Sequence, residues 1–285
     1  MKKDLIELIL DRPEAPLDIA EDLRNLSSAR VLITGGKGSL GQEVARVLDS
    51  HGIKFKLTDI EECDVTDKQM VLRVFNEYRP THVLHLAADK HAPEGELHPE
   101  TTFKINTSGS MNVIAAADEF KAIVTLASTC KSCDPETAYG ASKLIAERIT
   151  LNHGGTVARF YNVVDTAGNV FEIWNKLGEE DDIQVAECYR YFISAAEATS
   201  LLIKSMSLST TSSGRYIFDP GISHYMPDIA ARIYPKRRIS FVPPRRGDRR
   251  VEPQKAESER LNKVIGRLIK VSSPHDPNYF SFQQK

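Results

Sequence analysis

The chain has 285 residues, 41% of them hydrophobic and 27% charged, and a formal net charge of −2. Such a composition fits one large core, or a main domain with a small appendage, and gives no global electrostatic basis for binding nucleic acid. No apolar run reaches the roughly 18 residues expected of a membrane span, and Met1-Lys2-Lys3 leads into acidic residues rather than into a secretion signal.

Four cysteines, Cys63, Cys130, Cys133 and Cys188, do not make a disulfide framework in a chain this long, which predicts a reduced, cytoplasmic protein. Cys130 and Cys133 form C-x-x-C, but no second ligand pair accompanies them and the context is not thioredoxin-like. Two ordinary cysteines, and no metal, are expected.

Residues 1–28 carry apolar residues at helical spacing (Leu5, Ile6, Leu8, Ile9, then Ile19, Leu23, Leu26), interrupted by Pro13 and Pro16. Two short helices are predicted, docked on the domain or forming an arm toward a second subunit. From Ala29 the pattern alternates. Strands are expected at 29–34, 54–59, 82–88, 122–128 and 156–160, and helices at 42–50, 68–78, 101–120 and 138–152. Strands alternating with helices at this spacing predict an α/β fold, a Rossmann-type doubly wound parallel sheet over 29–165. Beyond about residue 165 the alternation loosens. Residues 166–285 are expected to form mainly a small C-terminal substrate-binding lobe, with segments returning to the sheet. Two basic clusters there, Lys236-Arg237-Arg238 and Arg245-Arg246, are either solvated surface or a phosphate clamp.

Thr34-Gly-Gly-Lys-Gly-Ser-Leu-Gly41 follows a predicted strand and opens a predicted helix, the setting a dinucleotide fingerprint requires. Gly35, Gly38 and Gly41, with Ser39 and Leu40, would let backbone N–H groups approach a pyrophosphate at a helix N-terminus. Asp59 ends the second strand, 21 residues after Gly38, where an acid would accept bonds from ribose hydroxyls. No Arg follows it directly, and Glu61 and Glu62 add negative charge, so NAD is favoured over NADP. Asp64 and Val65 are placed to meet the adenine edge.

Tyr139 and Lys143 lie four apart on a predicted helix and so share one face. A phenol beside an ammonium and a positive nicotinamide ring can take a hydroxyl proton as hydride leaves the carbon. Thr129, before Lys131, is placed to hydrogen-bond the same hydroxyl.

These motifs together resemble the extended short-chain dehydrogenases/reductases, and within them the UDP-N-acetylglucosamine 4,6-dehydratases of bacterial polysaccharide and flagellin-sugar synthesis. The resemblance runs through the glycine loop, Ala87-Ala-Asp-Lys-His-Ala-Pro93, Asn106-Thr-Ser-Gly109, Ser128-Thr-Cys-Lys131, Tyr139-Gly-Ala-Ser-Lys143, Arg159-Phe-Tyr-Asn162, Tyr189-Arg-Tyr-Phe192 and Arg245-Arg-Gly-Asp-Arg249. Leu5–Leu26 resembles the segment before the catalytic domain in membrane-anchored members, so the chain looks like that domain free-standing.

The resemblance implies a redox-neutral dehydration to a 4-keto-6-deoxy sugar. Tyr139 would deprotonate the sugar 4-hydroxyl and Lys131 would remove the C5 proton. Lys143 would bind the nicotinamide ribose and tune Tyr139. Ala87, Ala88, Lys90 and Asn106 would line the cofactor site, while His91, Asn162, Arg190, Arg245 and Asp248 would hold the UDP-sugar. A homo-oligomer is expected by analogy.

Three features depart from the family. Cys130 stands where it has an Asp, the expected acid for the leaving hydroxyl; a thiol is a different acid. The stretch between the second and third strands is short, which resembles deoxysugar ketoreductases. The family's R-P-G-E-K lacks its proline here. A nucleotide-sugar 4-epimerase or ketoreductase, a 5,6-dehydratase variant, and a catalytically lapsed binding protein therefore remain as alternatives.

Overall fold

The computed structural model describes residues 3–178 and 180–277, so Met1, Lys2 and the end of the expected lobe, 278–285, lie outside the described residues. The first five strands are β1 (Arg30–Thr34), β2 (Lys54–Thr58), β3 (His82–His85), β4 (Ile123–Thr129) and β5 (Thr156–Phe160). All pair in parallel, in the spatial order β2-β1-β3-β4-β5. Gly214–Phe218 then adds in parallel beside β5. Leu268–Ser272 follows antiparallel, with Arg260–Ile265 antiparallel beyond it at the edge, giving eight strands among the described residues.

Helices cover both faces, as buried apolar strands such as Val31–Ile33 demand. Ser39–Ser50 and Ala195–Leu208 pack on one face, against Val31, Ile33 and Ala158. Lys68–Tyr78 and Gly109–Phe120 pack on the other, against Leu32, Val83 and Val124. Local chemistry starts several of the helices. Asp67 accepts from Gln69 N and Met70 N, Thr137 accepts from Gly140 N, and Ser194 with Glu197 forms a capping box. The chain therefore folds as the predicted doubly wound Rossmann sheet. The strand order reverses between β1 and β3, and in such sheets ligands bind outside the carboxyl ends at that switch point.

One expected element differs. The helix predicted over 101–120 is divided into Pro99–Phe103, a π-helical turn Lys104–Ser108, and Gly109–Phe120. The cause is tertiary. Asn106 is fully buried, donates to Asp89 O (2.9 Å) and Ser142 Oγ (3.0 Å), and accepts from Asp89 N (2.8 Å). Satisfying those groups at a wide turn outweighs regular i→i−4 bonding.

A second apolar cluster lies off the sheet. It joins Phe171, Trp174, Ile183, Val185, Phe192 and Ile229. The first helix, Lys3–Leu10, contributes Ile6, Ile9 and Leu10 to it, whereas Leu23 of Ala20–Asn25 packs in the sheet cluster. The two predicted N-terminal helices thus dock on different cores of their own chain. The cluster Lys236–Arg238 has a local use as well: Arg237 donates to Gly178 O, and Arg238 pairs with Asp182 at 2.6 Å.

Candidate active site

A cavity of about 1160 Å³ opens at the carboxyl ends of the strands, between the sheet and the second cluster. Gly35, Gly38, Ser39, Leu40 and Gly41 form one wall. Gly35 follows β1 with φ +65°, and a Cβ there would lie 2.6 Å from Ala87 N, so the turn passes directly against the segment leaving β3. Ala88, Lys90 and His91 continue that segment along the cavity, while Ala87 serves as its backing. Ser39 Oγ accepts from Ala167 N at 3.0 Å, and Lys90 Nζ donates to Ala167 O at 3.5 Å.

The predicted adenosine residues lie outside this cavity's lining. Asp59 Oδ2 accepts from Lys37 N at 3.3 Å, and its Oδ1 accepts from Ile60 N. Lys37 Nζ pairs with Glu61 at 2.9 Å and Glu62 at 2.5 Å. Asp64 accepts from Thr66 N, and Val65 is buried with Val71 and Phe75. Asn106 also stands behind the wall, where it fixes Asp89.

The chemistry sits opposite the glycine wall. Thr129 and Lys131 leave β4, and Tyr139 and Lys143 lie on the helix Ala138–Asn152; all four line the cavity. Gly140 brings the two elements together, because a Cβ there would collide with Lys131 O. Tyr139 is 8% exposed, and burial raises its phenol to about 12; Lys131 and the Thr129 hydroxyl work in the opposite direction. The largest charge acting on the phenol is therefore Lys131, rather than the Lys143 that motif spacing pointed to.

Lys143 is 2% exposed, and burial lowers its ammonium to about 8, opposed by Glu147. Among the described residues no hydrogen bond satisfies that ammonium, although it lines the cavity. An orphaned donor facing a glycine wall fits a nicotinamide dinucleotide, whose ribose hydroxyls would supply acceptors. Glu147, one turn further on, is held by Arg159, Arg215, Ser128 and Ser132. His85, behind the glycine loop, is hydrogen bonded to Thr34 Oγ1 (2.7 Å) and Ser110 Oγ (3.0 Å); burial lowers it to about 3, so it is neutral.

The predicted substrate residues Asn162, Arg190, Arg245 and Asp248 converge on the far end of the cavity. Arg190 Nη1 donates to Tyr189 O and Arg249 O, and Arg245 Nε pairs with Asp248 at 2.9 Å. Cys130 behaves differently. It is fully buried in the sheet cluster and absent from the cavity lining; burial, then Glu252, raises its thiol to about 12. Cys133 accepts from Arg159 Nη1, and both cysteines are free.

One residue at the centre was missed from the sequence. Glu252 lines the cavity, with its side chain 1% exposed and 2.6 Å from Lys131 Nζ. Burial works against both charges. Their mutual attraction outweighs it, holding the carboxyl below and the ammonium above their ordinary ranges. Only the vacancy of the family's acid position, filled by Cys130, hinted that a carboxylate would arrive from elsewhere.

The model of the polysaccharide biosynthesis protein family matches residues 49–267. The chain belongs to that family, within the extended short-chain dehydrogenases/reductases. It is 30% identical over 245 residues to the capsular polysaccharide biosynthesis protein CapD of Staphylococcus aureus, covering 73% of this chain and 41% of that protein. The chain thus spans less than half the length of that relative. It is 28% identical over 256 residues to a UDP-N-acetylglucosamine 4,6-dehydratase (inverting) of Campylobacter jejuni, covering 77% of this chain and 75% of that one. Among solved structures, Pen from Bacillus thuringiensis shares the fold with a TM-score of 0.76 at 22% identity, over 88% of this chain and 91% of that one. Other structures of this fold were determined with NAD or with NADP. No described helix is long and apolar enough to cross a membrane, and no described group of three or more His, Cys, Asp or Glu is arranged to hold a metal.

Proposed function

We propose that the chain dehydrates a UDP-N-acetylhexosamine to its 4-keto-6-deoxy form, using one nicotinamide dinucleotide that is reduced and reoxidised within a turnover. The observation that carries this is the meeting of Tyr139, Lys131 and Lys143 in one cavity facing the glycine loop. The similarity to a named 4,6-dehydratase over three quarters of both chains supports the substrate class.

A nicotinamide dinucleotide held by the glycine loop and Lys143 would supply the hydride acceptor for C4 and the hydride donor for C6. Tyr139 takes the 4-hydroxyl proton; Lys131 and Thr129 partly offset the burial that holds its phenol above the ordinary range. Lys131 takes the C5 proton, which the C4 ketone has acidified. Lys143 holds the ribose with its unpartnered ammonium. Arg190, Arg245, Asn162 and His91 orient the UDP-sugar, an Arg fork suiting pyrophosphate oxygens. NAD is favoured over NADP, because Asp59, Glu61 and Glu62 surround Lys37 with negative charge where a 2′-phosphate would lie.

The test is incubation of the NAD-loaded protein with UDP-N-acetylglucosamine in D2O. The expected product has lost one water and carries deuterium at C5. A product with no solvent deuterium at C5 would remove the role given to Lys131. The buried Cys130 at the family's acid position favours a second reading, 4-epimerisation or ketoreduction. A C4 isomer, or a strict demand for reduced cofactor, would establish it.

A further inference from the structure

Glu252 belongs to the segment after Arg245–Asp248, which a bridge between Tyr189 and Val251 holds in place. Four donors from three parts of the fold meet on its carboxylate. Oε1 lies 2.6 Å from Lys131 Nζ and 3.4 Å from Arg190 Nε. Oε2 accepts from Asn162 Nδ2 at 2.6 Å and from Cys130 Sγ at 3.6 Å. A carboxylate with 1% side-chain exposure that still borders the cavity has been carried there at a desolvation cost. Structural ion pairing alone does not require it to abut Lys131, the group assigned to C5. The thiol beside it lies outside the cavity lining, so Glu252 is the acid that borders the cavity where Cys130 does not.

We infer that Glu252 is the general acid of the elimination, acting with Lys131 as a proton-exchanging pair. The inference rests on the dehydratase reading. An ammonium is no base and a carboxylate no acid, so the resting pair must first exchange. Transfer of one proton from Lys131 Nζ to Glu252 breaks an N–H bond, forms an O–H bond and leaves a neutral amine and a neutral carboxylic acid. Net charge is unchanged; because mutual attraction outweighs burial at both groups, the resting pair stays ionic and the exchange is an uphill step within the elimination.

Once C4 is a ketone, the amine takes the C5 proton. The C5–H electron pair becomes the C5–C6 double bond as the C6–O bond breaks, and the carboxylic acid protonates the departing hydroxyl to water. Ammonium and carboxylate are restored. With the hydride returned to C6, the ammonium gives a proton to C5, completing the sugar and leaving the pair one proton short. The proton that Tyr139 took from the 4-hydroxyl makes up that deficit, and the cycle closes.

The experiment compares the parent with Glu252→Gln and Glu252→Asp, each loaded with NAD and given UDP-N-acetylglucosamine. Glu252→Gln should lower kcat for water loss by about 10²- to 10⁴-fold, beyond any change in KM from the Arg190 and Asn162 contacts it alters. Reduced nicotinamide should accumulate on that variant, because C4 oxidation does not need the acid. Glu252→Asp keeps a carboxyl group and should recover part of the rate, which separates loss of the acid from loss of the fold. Glu252→Gln losing water at the parent's rate, or slowing only through KM, overturns the inference while the dehydratase reading stands. Failure of Glu252→Asp to exceed a folded Glu252→Gln also overturns it. A parent that yields no dehydrated sugar overturns the dehydratase reading and the inference with it.

Discussion

Replacing Lys143 with Met should stabilise the protein while disabling it. Lys143 is 2% exposed, its ammonium has no hydrogen-bond partner among the described residues, and burial holds it at about 8 against an ordinary 10.5. At about 1.4 kcal/mol per pH unit, keeping that charge in the folded state at pH 7 costs about 3 kcal/mol. Methionine retains an unbranched apolar stem without the charge. Melting should therefore rise by about 6 °C, at roughly 2 °C per kcal/mol for a chain this size. The sign can be checked against pH. Between about 8 and 10.5 the unfolded lysine binds a proton that the folded one has released, so the parent gains stability as pH rises. The advantage of Lys143→Met is full below pH 8 and fades by about pH 10.5. Differential scanning calorimetry at pH 7, 9 and 10.5 reads this directly, and turnover of UDP-N-acetylglucosamine reads the loss of function. A variant that melts at or below the parent at pH 7, or an advantage that does not shrink with pH, would refute the account of Lys143 as an uncompensated buried cation.

Three further outcomes are expected. Gly35→Ala puts a Cβ on a left-handed residue against Ala87 backbone; strain of about 1–2 kcal/mol should weaken NAD binding by about tenfold in calorimetric titration, and unchanged affinity would argue against the glycine wall. Tyr139→Phe should lower turnover by about 10²- to 10⁴-fold without lowering the melting temperature. The phenol that burial holds near 12 should also titrate at lower pH when NAD is added, because a positive ring nearby favours the phenolate; an absorbance titration that does not move with NAD would place the ring elsewhere. Arg159→Met should cost about 3–5 kcal/mol in urea unfolding, since it strips the buried Glu147 and Glu259 of their shared guanidinium, whereas Arg238→Ala, which breaks an exposed pair with Asp182, should cost under about 1 kcal/mol.

What was legible in the sequence was whatever the chain writes locally. The strand into Gly35, the helix after it and the Tyr139–Lys143 face each follow from spacing within a few residues, and each stands where expected. The turn at Lys104–Ser108 was not legible, because Asn106 bends it to satisfy Asp89 and Ser142, 17 and 36 residues away. Spacing selects Lys143 as the cation beside Tyr139, and the close approach at Gly140 brings Lys131 there as well. Glu252 is the extreme case. It sits in an unpatterned polar stretch 122 residues from Cys130, and nothing near it marks it as buried. Yet the sequence held half the argument in the acid missing at Cys130. A motif that loses one charge while keeping its neighbours leaves Lys131 without the carboxylate that the pattern places beside it. The departure from the pattern was therefore evidence for a compensating carboxylate, and the fold shows which one: Glu252, where the chain returns past Arg190 to close the cavity.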